Sequence, residues 1–535
     1  MNSAGRFIVF NVVSRASVLS LLMWIALTGS VVSPGLAQYA NVRVSSPLVS
    51  DPNEVVIAIN PTNPQNLLAA SNLRYFYSSM DGGLSWSQGQ LPSGTWGDPC
   101  VIFDLNGRAY YSHLSNPVGG YFIERLIVHR SSNGGASWYD SVDVGYNPPR
   151  QQDKEWMAVD ETNSPYRNNL YMAWTEFDAL ESTNPADSTR ILFSRSTNGG
   201  DTWMIPLRIS DEGGNCLDGD NTVEGAVPAV GPGGEVYVAW SGPRGIMFDR
   251  SLDGGLTFGR DVFVAEQPGG WAFDVPGMYR CNGLPITACD VSQSPYRGTV
   301  YVCWSDQRHG EDDTDVFLSK STDGGITWSP ATRVNDDMRG RQQFFPWLAI
   351  DQSAGVLYCV FYDRRNTVGD ATDVYLAISR DGGETFQNSR VSKSSFVPDP
   401  AVFFGDYIGI AARDRHVYPI WARMDKQARS VWAAAILDTP DVTASRVLLN
   451  FPNPFSTSTI IRYDLAYEAS VRIEIFNLLG QPLAVLRDGV EPEGRHEVTW
   501  RPDVPSGVYF CRAQINELGG PQRSVTDVRR LLLLK

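Results

Sequence analysis

The chain is poor in histidine and short of positive charge. Its five histidines, His113, His129, His309, His416 and His496, form neither a zinc-like spacing with cysteine nor a Ser/His/Asp relay. No glycine-rich phosphate cradle is present either. Lys and Arg number 44 against 59 Asp and Glu, a formal charge of −15. That balance argues against nucleic acid and anionic lipid as partners, and against long-range attraction of acidic glycans. Cysteines number seven, an odd count. Cys303, Cys359 and Cys511 sit in strand-like runs and read as buried thiols. Cys216, Cys281 and Cys289 sit in long loops, where Cys281–Cys289 is the first choice for a disulfide and Cys216 the competing partner. One apolar run stands out, Val18 to Leu27, after Arg6 and Arg15 and before Gly35-Leu36-Ala37. It reads as a signal peptide over residues 1–37, and no other segment is long and apolar enough to span a bilayer.

Turn formers and aromatics are plentiful: 49 Gly, 33 Pro and 11% Phe, Trp and Tyr. The glycines recur in one motif. Ser79-Met80-Asp81-Gly82-Gly83-Leu84-Ser85-Trp86 returns around Asn133, Asn198, Asp253, Asp323 and Asp381, at intervals of 52 to 70 residues. The Asp or Asn bonds its own backbone, the two glycines supply positive φ, and the aromatic folds back, which makes a β-hairpin corner. A repeat of this length in strand-rich sequence predicts an all-β propeller. The motif resembles the Asp box of sialidases and other proteins with BNR repeats, where the turn is scaffold.

Within each interval the strands recur in one order, as in Trp156–Val159, Leu170–Trp174 and Ile191–Ser194. First strands begin near Val55, Cys100, Trp156, Ala226, Pro285, Phe345 and Ile408. Seven blades are therefore expected over residues 38–437, with six, as in sialidases, the alternative. The seventh unit lacks an Asp box and a fourth strand. Asn41-Val42-Arg43-Val44 is the expected substitute, which would close the ring and protect its edges. A linker over 438–447 follows, then alternating strands over 448–535 that suit a small Ig-like β-sandwich. This last segment resembles the type A sorting domain of type IX secretion. The resemblance rests on Asn450-Phe451-Pro452-Asn453-Pro454-Phe455, Ile473–Gly480, Ser506-Gly507-Val508-Tyr509-Phe510 and the terminal Leu531–Lys535. It implies type IX secretion machinery as a partner and a secreted or outer-membrane-surface location.

Propeller geometry puts Asp boxes on one face and the turns into first strands on the other. The latter carry Glu54, Asp98, Asp153-Lys154-Glu155, Glu224, Arg341 and Asp406-Tyr407. Second-to-third turns on the same face carry Arg74, Glu176, Asp178, Asp306, Arg308, Asp363, Arg364 and Arg365, with Trp96, Trp156, Phe344 and Tyr362 nearby. Carboxylates do acid/base or nucleophilic work, arginines grip oxygens in pairs, and rings offer apolar faces to sugars. The candidate catalytic groups are Asp98, Glu155, Glu224, Asp406 and Tyr407. The candidate substrate-binding groups are Arg74, Arg308, Asp363, Arg364, Arg365 and Trp156. These charges also have a plainer use, pairing with one another as in Asp363 with Arg364. The arginine-bearing motif that leads into the first strand of sialidases is replaced by Asp51-Pro52-Asn53-Glu54-Val55-Val56, so no catalytic residue carries over by resemblance. Two acidic loops, Asp211–Asp220 and Glu311-Asp312-Asp313-Thr314-Asp315, are the places for calcium, and neither has a complete ligand spacing. The sequence thus points to an exported, sialidase-like propeller acting on glycans, as a glycoside hydrolase or as a non-catalytic binding or adhesion protein.

Overall fold

Every regular element among the described residues is a β-strand. The computed structural model describes residues 39–47, 52–92, 94–438, 446–492, 494–518 and 524–535. The expected signal peptide and residues 439–445 of the expected linker lie outside them.

Six sheets have four strands each and consecutive order. Sheet 1 runs Val56–Ile59, Leu67–Ser71, Tyr75–Ser79, Ser87–Gln90, and sheet 2 runs Thr95–Phe103, Ala109–Ser115, Leu126–Ser131, Tyr139–Val144. Sheets 3 and 4 start with Gln151–Val159 and Glu224–Val230, and sheets 5 and 6 with Ile286–Cys289 and Gln343–Asp351. Sheet 7 comprises Gly409–Arg413, His416–Asp425 and Ala428–Ala434, and its outer strand is Asn41–Arg43, with Val42 opposite Ala433. First strands of successive sheets touch in turn, and that of sheet 7 touches that of sheet 1, so the seven form a closed ring.

The repeated turn explains the spacing between sheets. In sheet 1, Ser79 Oγ donates to Asp81 Oδ1 at 2.8 Å and accepts from Gly83 N at 2.9 Å, while Ser85 N donates to Asp81 Oδ1 at 2.9 Å. Hydrogen bonds from Ser85 lead in holding the Asp81 carboxyl down at about 2. The second glycine of each box lies flat on the preceding sheet. A Cβ on Gly325, whose φ is +86°, would come within 2.2 Å of the Phe248 ring. Gly83 in sheet 1 faces Tyr418 in sheet 7, which repeats the contact across the closure. Second strands add large buried rings at matching positions, among them Trp174, Trp240, Trp304 and Trp421.

Sheets 4 and 5 are separated by an insertion containing a two-stranded ribbon, Ala272–Phe273 with Cys281–Asn282. It occupies the longest interval between boxes. The expected Cys281–Cys289 link is absent: all seven cysteines are free and buried, with Cys281 in this ribbon and Cys289 in the first strand of sheet 5.

The C-terminal segment has a three-stranded sheet, Arg446–Phe451, Thr459–Leu465, Gly494–Trp500, and a four-stranded one in the order Pro482–Glu491, Ala469–Phe476, Gly507–Glu517, Ser524–Leu533. Ile461, Tyr463 and Trp500 of the first share a core with Ile473, Ile475 and Cys511 of the second. Leu531 and Leu533 of the terminal run are fully buried in that core.

Candidate active site

The first strands begin abnormally, and this builds the site. Glu54, Asp98, Lys154 and Phe345 have φ of 52°, 49°, 54° and 51°, in a region that side-chain-bearing residues seldom occupy, and Gly225 sits at 78°. Register slips accompany four of them, between Gly97 and Cys100, Asp153 and Trp156, Glu224 and Val227, and Phe344 and Trp347. Bulges of this kind re-aim side chains and cluster at functional sites. Here successive sheets deliver Glu54, Asp98, Asp153, Lys154 and Glu224 to one cavity of about 870 Å³ on the face away from the Asp boxes. Asp218, Arg280 and Asp406 complete its charged wall, and Trp96, Phe122, Arg74 and Arg429 are also part of its lining.

Asp406 is the best-satisfied acid. Arg280 Nε donates to Oδ1 at 3.0 Å and Nη2 to Oδ2, Asn282 Nδ2 donates to Oδ1 at 3.2 Å, and Lys154 Nζ lies 3.5 Å from Oδ2. Burial alone would raise its pKa, but Lys154 and Arg280 outweigh that and hold it at about 2. Lys154, penalised by burial, is nonetheless held charged by Asp406, Asp98 and Glu54, and its ammonium sits 4.5 Å from the centre of the Tyr407 ring.

The other acids behave oppositely. Burial first, then Asp98, pushes Glu54 well up, and burial first, then Asp218 and Asp153, does the same to Glu224. Burial with Asp98 and Asp218 also raises Asp153. Two carboxyl pairs face each other, Glu54 with Asp98 and Glu224 with Asp218, and each neighbour adds to the upward push. Asn72 sets the first: its Oδ1 accepts from Asp98 N at 2.8 Å, and its amide donates to Glu54 Oε2. The arrangement therefore sets acids pushed toward their neutral forms beside one carboxyl, Asp406, held low, the kind of divergence acid/base chemistry uses.

The remaining candidates lie elsewhere. Glu155 is buried below the cavity, and burial with the charge of Asp98 pushes it well up. Burial likewise raises Tyr407, whose hydroxyl donates to the Pro99 carbonyl at 3.4 Å and has no hydrogen bond to a carboxylate among the described residues. Trp156 packs against Trp347 and Tyr407, with ring centres 4.3 and 5.5 Å away. This trio comes from sheets 3, 6 and 7, and Trp156 and Trp347 line a second cavity of about 590 Å³ that reaches the Asp-box side.

Arg74 lines the charged cavity; the other three arginines do not. Arg308 forks onto Asp306 at 2.9 and 2.5 Å and lies 4.1 Å from the Phe317 ring centre. Arg365 binds Asp363 Oδ2 at 2.8 Å, so the partner of Asp363 is Arg365 and not Arg364. Arg364 donates to the Pro276 carbonyl at 2.5 Å and Thr372 Oγ1 at 3.0 Å. A carboxylate one or two residues away captures Arg308 and Arg365 before they reach the axis. Glu176 and Asp178 are likewise spent on Arg150 and Arg190.

Both acidic loops are already served by donors. Asp218 receives Arg280 Nη1 at 3.2 Å. In the second loop, Asp313, Asp315 and His309 bring ligand atoms within 4.8 Å of one another, but Asp315 takes His309 Nδ1, Arg333 Nε and Asn335 Nδ2, each at 2.6 Å. Arg280, Asn282 and Asn72 were not singled out by sequence. For the first two the available signal was the 70-residue interval that houses the ribbon.

Residues 320–330 match the BNR/Asp-box repeat. They form the turn of sheet 5. No curated protein matches the chain. Among solved structures, the chain is similar to Trypanosoma rangeli sialidase in complex with the inhibitor DANA, at 11% identity over 81% of this chain and 84% of that one, TM-score 0.39. It is also similar to the NanB sialidase of Streptococcus pneumoniae (8%, 75% and 98%, 0.41) and to an ulvan lyase of polysaccharide lyase family PL25 (13%, 75% and 96%, 0.43). At these identities the likeness is one of fold.

Proposed function

We propose that this propeller hydrolyses a glycoside in the charged cavity. One observation carries the reading: buried glutamates, each pushed up by burial and by a neighbouring carboxyl group, on the wall of a cavity large enough for a sugar ring. A purely adhesive surface would neutralise its charges pairwise, whereas Glu54, Asp98, Asp153 and Glu224 have no ion pair among the described residues. Glu224 serves as general acid, and Asp98, held by Asn72 through its backbone, as the carboxylate that acts on the sugar directly or through water. Trp96 and Phe122, in edge contact with centres 5.1 Å apart, offer a sugar platform at the rim.

The resemblance of the C-terminal segment supports export by type IX secretion, to the cell surface or beyond it. The test of the catalytic reading is a glycan-array screen followed by hydrolysis assays on each ligand found. Release of reducing sugar, lowered about 100-fold or more by Glu224→Gln, supports hydrolysis. Binding with no release by the wild-type protein refutes it in favour of a lectin-like role.

A further inference from the structure

Building on the glycan reading, we infer that the cavity recognises a sugar carrying a free ammonium group, seated among Glu224, Asp153 and Asp98. The argument begins with which charges are already used. Two of the cations lining the cavity are committed to acids: Arg280 to Asp406 and Asp218, and Lys154 to Asp406. Arg429 donates to the Phe403 carbonyl. Asp98, Asp153, Glu224 and Glu54 form no ion pair among the described residues and share between them the field of the single Lys154 ammonium.

Glu224 is the sharpest pointer. It is 4% exposed, lines the cavity, and its Oε2 receives no hydrogen-bond donor. A buried acceptor left open costs about 1–3 kcal/mol, so a donor from a ligand is strongly favoured there.

Ligand atoms around one ion must crowd together, and among the described residues the only trio that does so is His309, Asp313 and Asp315, outside this cavity. Carboxyls spread over a wider wall suit a larger group with several N–H donors, and a primary ammonium has three. An anionic sugar would meet like charge in the same place. The half-exposed rings of Trp96 and Phe122 then face the apolar side of the ring or a second ammonium.

Occupancy has a proton signature. In the empty cavity Glu224 faces Asp218, Asp153 and Lys154; Asp153 faces Asp98, Asp218 and Lys154; and Glu54 faces Asp98, Lys154 and Asp406. These acids are biased toward their neutral forms, and an arriving cation shifts Asp153 toward its ionised form, releasing a proton to solvent while Glu224 keeps its own.

The test is calorimetric titration of the full exported chain at pH 7 with the β-1,4 hexamers of glucosamine, N-acetylglucosamine and glucose, in two buffers of different ionisation enthalpy. The glucosamine hexamer is expected to bind at least tenfold tighter than the other two, with net proton release. Glu224→Gln and, separately, Asp98→Asn, which tolerates the left-handed backbone, should each weaken it at least tenfold. Equal binding of the three hexamers, no binding of any, or binding without proton release overturns the inference. The hydrolase reading is judged separately: turnover of an uncharged glycan would leave it standing while this one falls.

Discussion

Arg280 holds Asp406 across 126 residues of sequence, with Nε 3.0 Å from Oδ1, and so ties the inserted ribbon to the first strand of sheet 7. Without it, Asp406 keeps Lys154 but loses its forked partner. Arg280→Met is therefore expected to lower stability by about 1–3 kcal/mol, measured by urea unfolding, since the arginine is half-exposed. The same substitution frees Lys154 less than it loosens Asp406, and the pH at which activity falls on the acid side should move upward.

A second expectation concerns pH and stability. Glu224 has a folded pKa raised above its unfolded value near 4.3, so it binds more protons folded than unfolded. Its contribution is complete below that unfolded value and is lost as pH rises through the folded one. Asp363, pushed by burial to about 7 despite Arg365, acts in the same sense between about 4 and 7. Unfolding free energy should accordingly decline from pH 5 to 8, and Glu224→Gln should flatten that slope.

The Asp-box glycines give a third. Gly325→Ala combines a φ of +86° with a Cβ 2.2 Å from the Phe248 ring. It should cost more than about 2 kcal/mol, whereas Gly489→Ala, with open space around it, should change thermal unfolding little.

Asp98 supplies a fourth, a trade of stability against activity. At φ 49° it occupies backbone suited to glycine. Asp98→Gly should leave the protein as stable or about 1 kcal/mol more so, while reducing turnover by about 100-fold or more. Calorimetric melting and hydrolysis rates read the two effects separately.

The ring was legible because its turn repeats: Asp81 and its five counterparts announce the hairpins, and the lack of a seventh box in sheet 7 drew attention to Asn41–Val44. The site was legible in part. Asp98, Glu224 and Asp406 follow from propeller geometry, since residues at the start of a first strand face the axis. Arg308 and Arg365 share that face but are intercepted by Asp306 and Asp363, a local competition that position alone does not reveal. Arg280 and Asn282 come from an irregular insertion without periodicity, so nothing in the sequence aims them at Asp406. Trp156 lies past the register slip, farther along the same strand than Asp153 and Lys154, and so lines the cavity nearer the Asp-box face.

The pairing of Asn41–Arg43 with sheet 7 has a consequence for biogenesis. Val431 N donates to Ser45 Oγ, a contact between groups 386 positions apart. A chain emerging from its N-terminus must keep this short strand waiting until nearly all seven sheets have been made. Until then sheet 7 presents a bare edge to any other strand it meets. Final maturation is thus postponed until the last sheet has been made, so the ring locks only once the whole of it exists.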